Sequence, residues 1–151
     1  MNMGANPPIR SSSLGVNHCN RGQHRNLTVL VVDDEPAFCF AMAEILRLSG
    51  HSVQQAHSVS EALDILTGLT PDLILTDIMM PGSDGLSFIR HLRSRPAWAD
   101  IPTIAVSAKA LVQDREAACA AGADGYICKP FSAQELQAAI RVYSYSDAAA
   151  A

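Results

Sequence analysis

The stretch that most constrains this chain is Pro71-Asp72-Leu73-Ile74-Leu75-Thr76-Asp77-Ile78-Met79-Met80-Pro81-Gly82-Ser83-Asp84-Gly85. Leu73-Ile74-Leu75 is a short uncharged run bounded by breakers, the pattern of a strand buried on both faces. It ends on Thr76 and Asp77, after which Pro81, Gly82 and Gly85 force a loop. A carboxylate therefore stands at the carboxyl end of a central strand, the edge where open parallel α/β sheets carry their chemistry. A lone strand-end Asp also serves as an ordinary turn cap, so the company Asp77 keeps decides its meaning.

Leu27-Thr28-Val29-Leu30-Val31-Val32 is a second buried strand. It runs into Asp33-Asp34-Glu35, and Pro36 suits the first turn of a helix. Phe38, Ala41, Met42 and Ile45 recur at helical spacing as the expected inner face, which leaves Cys39 and Phe40 off the stripe. Ser49-Gly50 closes that helix. Residues 53–56 form a shorter, more polar strand near an edge, and Ser60 is the expected cap of a helix over 61–67 with Leu63 and Leu66 inward. Leu86, Ile89 and Leu92 mark a third helix ending near Arg95-Pro96. A fourth strand over 101–106 leads to Ser107-Ala108-Lys109, and a helix over 111–121 stops at Gly122. Tyr126-Ile127-Cys128 is a fifth strand running into Lys129-Pro130-Phe131. Ser132 caps a last helix with Leu136, Ala139, Ile140 and Tyr143 inward.

Strands alternating with helices in this way predict an α/β fold, a doubly wound five-stranded parallel sheet with helices on both faces. That layout brings Asp33, Asp34, Asp77, Ser107 and Lys129 to one edge. The 151 residues suffice for one domain whose core needs neither disulfides nor a structural metal. Residues 27–143 form it, residues 1–26 read as a disordered, mildly basic tail, and residues 144–151 as a frayed end. No apolar run has the length of a membrane span and the N-terminus lacks a signal-peptide core, so the expected location is cytoplasmic, without membrane insertion. Cys19, Cys39, Cys119 and Cys128 lack metal-ligand spacing and read as small apolar side chains plus one tail thiol. A net charge of −4 argues against nucleic acid as a direct ligand.

Three crowded carboxylates repel one another unless a cation neutralises them. Carboxylates, a backbone carbonyl and waters are the ligand set of a hard divalent ion, and Mg²⁺ takes few protein ligands. With such an ion bound, one Asp77 oxygen stays free as a nucleophile for aspartyl-phosphate formation. Phosphoryl transfer then needs charge compensation, which Lys129 supplies as a cation and Ser107 supplements with a hydroxyl. Each element has a bland reading, the acidic triplet as a helix cap for example, but the joint convergence at four strand ends does not.

These pieces resemble the receiver domain of two-component response regulators. The matching segments are Val29-Leu30-Val31-Val32-Asp33-Asp34-Glu35-Pro36, Leu75-Thr76-Asp77-Ile78-Met79-Met80-Pro81-Gly82-Ser83-Asp84-Gly85, Val106-Ser107-Ala108-Lys109 and Gly122-Ala123-Asp124-Gly125-Tyr126-Ile127-Cys128-Lys129-Pro130-Phe131. The resemblance implies the sheet order 2-1-3-4-5 and a phosphoryl-accepting switch that catalyses only its own phosphorylation and dephosphorylation. A sensor histidine kinase or histidine phosphotransfer protein would donate to Asp77. Asp33, Asp34, Asp77 and the Met79 backbone carbonyl would hold Mg²⁺, Asp33 through water. Ser107 and Lys129 would contact the phosphoryl group, Tyr126 would be the switch aromatic, and the Lys129–Pro130 peptide would be cis. A downstream protein, or a second copy, would read the face of the fourth helix, fifth strand and fifth helix. Ser107 stands where Thr is commoner in the family, which keeps the hydroxyl.

Competing classes fit less well. A flavodoxin-like carrier needs a phosphate loop where Asp33-Asp34-Glu35 would repel phosphate, and a dehalogenase-type phosphatase needs an Asp where Met79 stands. The alternative within the class is a receiver-like interaction module that does not turn over phosphate. Two further expectations concern the rim. Cys39 and Phe40 form an exposed apolar patch for the donor, and Met79 and Lys109 flank the path of hydrolytic water and lengthen the life of the phosphorylated state.

Overall fold

The computed structural model describes residues 24–145. Its elements run β1 (Thr28–Val32), α1 (Pro36–Leu48), β2 (Ser52–Ala56), α2 (Val59–Gly68), β3 (Leu73–Asp77), β4 (Met79–Met80), β5 (Ser83–Asp84), α3 (Gly85–Ser94), β6 (Thr103–Ser107), α4 (Val112–Ala121), β7 (Gly125–Cys128) and α5 (Ala133–Ser144). The main sheet is parallel, in the order β2-β1-β3-β6-β7. This is the expected order with a short antiparallel hairpin, β4–β5, inserted after β3. The hairpin pairs Met79 with Asp84 and Met80 with Ser83, so the loop after Asp77 is a built element. Among the described residues no helix is long and apolar enough to cross a membrane.

Strand alternation divides the core. Val29 and Val31 of β1 face a cluster with Met42, Leu46, Leu136 and Ile140 under α1 and α5. Leu30 and Val32 face Ala62, Leu66, Phe88 and Leu92 under α2 and α3. A third cluster of Ile78, Ile89, Ala105, Ala118 and Ala121 closes the α3–α4 side. Every residue of β3 and β6 is buried, as sheets covered on both faces require. Arg93 ties α3 to its neighbours by donating to the carbonyls of Gly122, Ala99 and Ile101 at 2.9, 3.1 and 2.8 Å, and by pairing with Asp124 at 2.8 Å.

Several local readings are corrected. The inner face of α1 is Cys39, Met42, Ala43 and Leu46, with Ala41 exposed and Phe38 half-buried. Between Pro36 and Leu46 only Glu44 is charged, so two helical phases one residue apart satisfy the spacing, and packing over β1 selects the other one. Cys39 is thus a core thiol, its pKa pushed up to about 11 chiefly by burial and further by the Asp33 charge. The cap of α2 is Ser58, not Ser60. Its hydroxyl accepts from Glu61 N–H at 3.1 Å while the Glu61 carboxylate accepts from His57 N–H at 2.7 Å. Ser58-x-x-Glu61 is the spacing that marks such a cap. Cys119 is exposed rather than a core filler, and Cys19 lies outside the described residues.

The described body also runs past the expected limits of 27 and 143. Ser144 is buried in the last turn of α5, and Arg25 N–H donates to its carbonyl. His24 pairs with Tyr145 as an isolated bridge. The rest of the expected tails, residues 1–23 and 146–151, lies outside the described residues.

His51 sits beneath this closure. Its Nδ1 accepts from Leu27 N–H at 3.0 Å, and the ring is buried. Burial, then the nearby charge of His24, lowers its pKa below the ordinary 6.5. The unfolded chain therefore takes up the proton first, and folding loses stability as pH falls from about 6.5 towards the lowered native value, then levels off. We expect the urea midpoint to drop between pH 7.5 and 5.5 by more in wild type than in His51→Gln, whose amide oxygen still accepts from Leu27. Equal drops in the two proteins would remove His51 as the cause.

Candidate functional site

Parallel strands bring the predicted residues to one edge. Asp33 follows β1, Asp77 ends β3, Ser107 ends β6 and Lys129 follows β7. Asp33 and Asp77 are 0% and 3% exposed, unusual for carboxylates and tolerable only with partners. Lys129 is that partner. Its Nζ donates to Asp33 Oδ2 at 2.8 Å and to Asp77 Oδ2 at 3.2 Å. The remaining carboxylate oxygens accept backbone N–H groups, Asp33 Oδ1 from Glu35 and Asp77 Oδ1 from Met79, each at 2.9 Å.

One carboxylate oxygen from each of Asp33, Asp34 and Asp77 lies within 4.8 Å of the others. Three carboxylates against one ammonium leave an excess of negative charge at a partly buried edge. Asp77 responds with a raised pKa, caused first by burial and also by the Asp33 charge, against the Met79 N–H and Lys129. For Lys129 burial acts downward, but hydrogen bonding and charge from Asp33 and then Asp77 prevail and raise its pKa. The ammonium is therefore a fixed positive charge at neutral pH. The donor set, hard oxygens in negative excess, fits a divalent cation of the Mg²⁺ or Ca²⁺ kind and suits no soft metal.

Ser107 joins the site through the backbone. Its Oγ accepts from Lys109 N–H at 3.1 Å, and its carbonyl accepts from Lys129 N–H at 2.8 Å. The Lys109 carbonyl in turn accepts from the Tyr126 hydroxyl at 2.6 Å. One residue, Lys109, therefore touches both Ser107 and Tyr126 through its own peptide groups. The Tyr126 ring lies under the Arg115 guanidinium, 5.3 Å from the ring centroid. Met79 is 52% exposed beside Asp77, and Phe40 is 58% exposed on α1. The expected Cys39–Phe40 patch is reduced to Phe40, since Cys39 is in the core. The Lys129–Pro130 peptide is cis.

Sequence reasoning missed two supports. His57 Nδ1 lies 3.2 Å from the Asp33 carbonyl oxygen, a contact no spacing announces. Gly85 opens α3 directly under the loop that follows Asp77. A Cβ there would stand 2.6 Å from the Asp77 carbonyl oxygen and would also strike the Ile78 Cα. The glycine is required by this close approach of backbones, not by its φ. Gly85→Ala should destabilise the fold by about 1–3 kcal/mol, the usual range for overpacking. Denaturant titration reads it, and an unchanged midpoint would show that the loop after β3 yields freely.

The fold and this edge define a class, a parallel α/β domain with an acidic pocket and one lysine at the carboxyl edge of its sheet. Residues 29–141 match the model of the response regulator receiver domain, and the chain belongs to that family. Response regulator MprA of Mycobacterium avium (strain 104) is 41% identical over 115 residues, covering 76% of this chain and 50% of that protein. Response regulator MprA of Mycobacterium bovis (strain BCG / Pasteur 1173P2) is 40% identical over 116 residues, covering 77% and 50%. The chain thus spans about half the length of these relatives. The Francisella response regulator 1452 receiver domain superimposes with a TM-score of 0.73 at 29% identity, covering 79% of this chain and 97% of that one. The chemotaxis response regulator CheY4 of Vibrio cholerae, at 24% identity, 78% and 98% coverage and a TM-score of 0.74, shares the fold.

Proposed function

We propose that this chain is a signalling switch in which Asp77 accepts a phosphoryl group from a phosphohistidine on a sensor kinase or phosphotransfer protein. The observation that supports it most is the single ammonium of Lys129 shared by Asp33 and Asp77 at the carboxyl edge of the sheet. In the transfer an Asp77 oxygen forms the new bond to phosphorus, the bond from phosphorus to the histidine nitrogen breaks, and the imidazole keeps that electron pair. Lys129 is already close enough to follow the charge from the Asp77 carboxylate to the phosphoryl oxygens. Asp33, Asp34, Asp77 and the Met79 backbone carbonyl are the groups that would hold Mg²⁺. When bound, the ion neutralises charge on the phosphoryl oxygens. Such neutralisation favours the ionised form of Asp77, which burial disfavours.

Response to phosphate runs through Lys109 in this reading. A Ser107 hydroxyl drawn to a phosphoryl oxygen as donor loosens its hold on the Lys109 N–H, and the Lys109 carbonyl is the present anchor of Tyr126. Tyr126 would then turn inward, a shift between two states biased by phosphate contacts. The surface that reads it is α4–β7–α5, where Val112 and Val142 are exposed apolar side chains on the two helices. A downstream protein or a second copy of the chain docks there, and the protein works in the cytoplasm beside its donor. Phe40 is the apolar contact offered to the donor near the acidic pocket.

Three variants test the assignment. Asp77→Asn should keep its fold yet take up no acid-labile phosphate from acetyl phosphate and Mg²⁺; uptake at the wild-type rate would refute Asp77 as acceptor. Asp34→Ala should weaken Mg²⁺ binding, by about 1–3 kcal/mol if it follows other lost charged contacts. A titration with unchanged affinity would count against the metal site. Met79→Asn and Lys109→Glu should each shorten the phosphorylated state, because Met79 has only a weak acceptor to orient water and Lys109 has none. A tenfold change in lifetime corresponds to about 1.4 kcal/mol in barrier. Longer lifetimes in both variants would end the idea that these two residues protect the phosphoryl group.

A further inference from the structure

Lys129 is held by more than its two carboxylates. Its Nζ lies 4.1 Å from the centroid of the Phe38 ring and stands over the ring face. Phe38 belongs to the first turn of α1, the helix that Asp33-Asp34-Glu35 introduces. The ring is fixed from a second side by Phe131, edge to face at 5.4 Å and 90°. Residues 129 and 131 therefore clasp Phe38 between them, one with a cation and one with a ring edge. The Lys129 side chain is only 12% exposed. Two of its three N–H groups serve Asp33 and Asp77, and the ring closes off part of the water that would otherwise solvate the ammonium.

We propose that Phe38 is a positioning residue for phosphoryl transfer. Its ring face keeps the Lys129 ammonium at the site while the ammonium passes from the Asp77 carboxylate to the incoming phosphoryl oxygens. This rests on the phosphoacceptor reading and adds to it the part that holds the cation. A leucine at 38 fills similar space but presents no negative face, so water takes the open side of the ammonium and its four-carbon stem regains rotamers. A carboxylate at 38 would bind the ammonium more strongly, but would add charge to a pocket already in negative excess. A neutral ring attracts the cation without doing so. The attraction is greatest where the cation is desolvated, as it is here.

The test replaces Phe38 of the full chain site-specifically with mono-, di- and trifluorophenylalanine, which weaken the ring face stepwise with little change of shape. Phe38→Leu and Phe38→Trp accompany the series. Phosphoryl uptake from acetyl phosphate with Mg²⁺ should slow with each fluorine, by about three- to tenfold at trifluorophenylalanine, while Phe38→Trp stays near wild type and every variant remains folded at the assay temperature. Without metal or phosphate, the Lys129 ε-CH₂ proton resonances should show an upfield ring-current shift in wild type that Phe38→Leu loses. An uptake rate flat across the fluorine series, or an ε-CH₂ shift identical in wild type and Phe38→Leu, overturns the positioning role even where Asp77→Asn is inactive. Wild-type protein that accepts no phosphoryl group overturns the phosphoacceptor reading itself, and the role in transfer with it. The ε-CH₂ shift, read separately, distinguishes that failure from loss of the ring contact.

Discussion

One ammonium between two buried carboxylates organises this molecule's working edge. Lys129 reaches back from the last strand to the first and third, donating to Asp33 and Asp77 at 2.8 and 3.2 Å. Removing it would leave two nearly inaccessible carboxylates facing each other without compensation, and such truncations of a buried charge partner cost about 3–5 kcal/mol. The same arrangement leaves the pocket short of positive charge, because Asp34 adds a third carboxylate. A site that is only partly neutralised favours a further cation. Stability and chemistry therefore meet in the same contacts.

The parallel sheet makes that arrangement achievable from residues far apart in the chain. Parallel pairing requires crossovers, the crossovers place helices on both faces, and every strand then ends on the same edge. The register sets depth as well. Asp77 pairs with Val106 in the ladder, so Ser107 lies one position further out than Asp77, beside Cys128 in β7. Lys129 follows one residue later. Small offsets along three neighbouring strands thus bring the buried Asp77 carboxylate and the buried Ser107 hydroxyl within one pocket, which the long lysine stem spans.

Much of this was legible in the sequence. Apolar runs located β1, β3, β6 and β7, a shorter and more polar run located β2, and polar residues at the carboxyl ends marked the edge where Asp33, Asp77, Ser107 and Lys129 gather. Membership of the receiver family follows from the same segments. What escaped has physical reasons. The phase of α1 was ambiguous because apolar residues cover most of its circumference and Glu44 and Arg47 fit either phase, and that ambiguity hid both the burial of Cys39 and the use of Phe38 against Lys129. The β4–β5 hairpin is two residues per strand, too short for any periodicity. The burial of Ser144 and the pairing of His24 with Tyr145 depend on contacts between the two ends of the described residues, which no local window contains. Arg93 looks like an ordinary late-helix cation until the segment leading into β6 and the residue capping α4 deliver three carbonyls to it.

The central claim is that these contacts make Asp77 a phosphoryl acceptor. It is met most directly by trapping the adduct chemically. Borohydride reduces an aspartyl phosphate to homoserine, so protein exposed to a phosphohistidine donor with Mg²⁺ can be reduced, digested and sequenced by mass spectrometry. The account predicts homoserine at position 77, dependent on both donor and metal. Homoserine at another carboxylate, or a phosphoryl group found only on a histidine or serine, would contradict it.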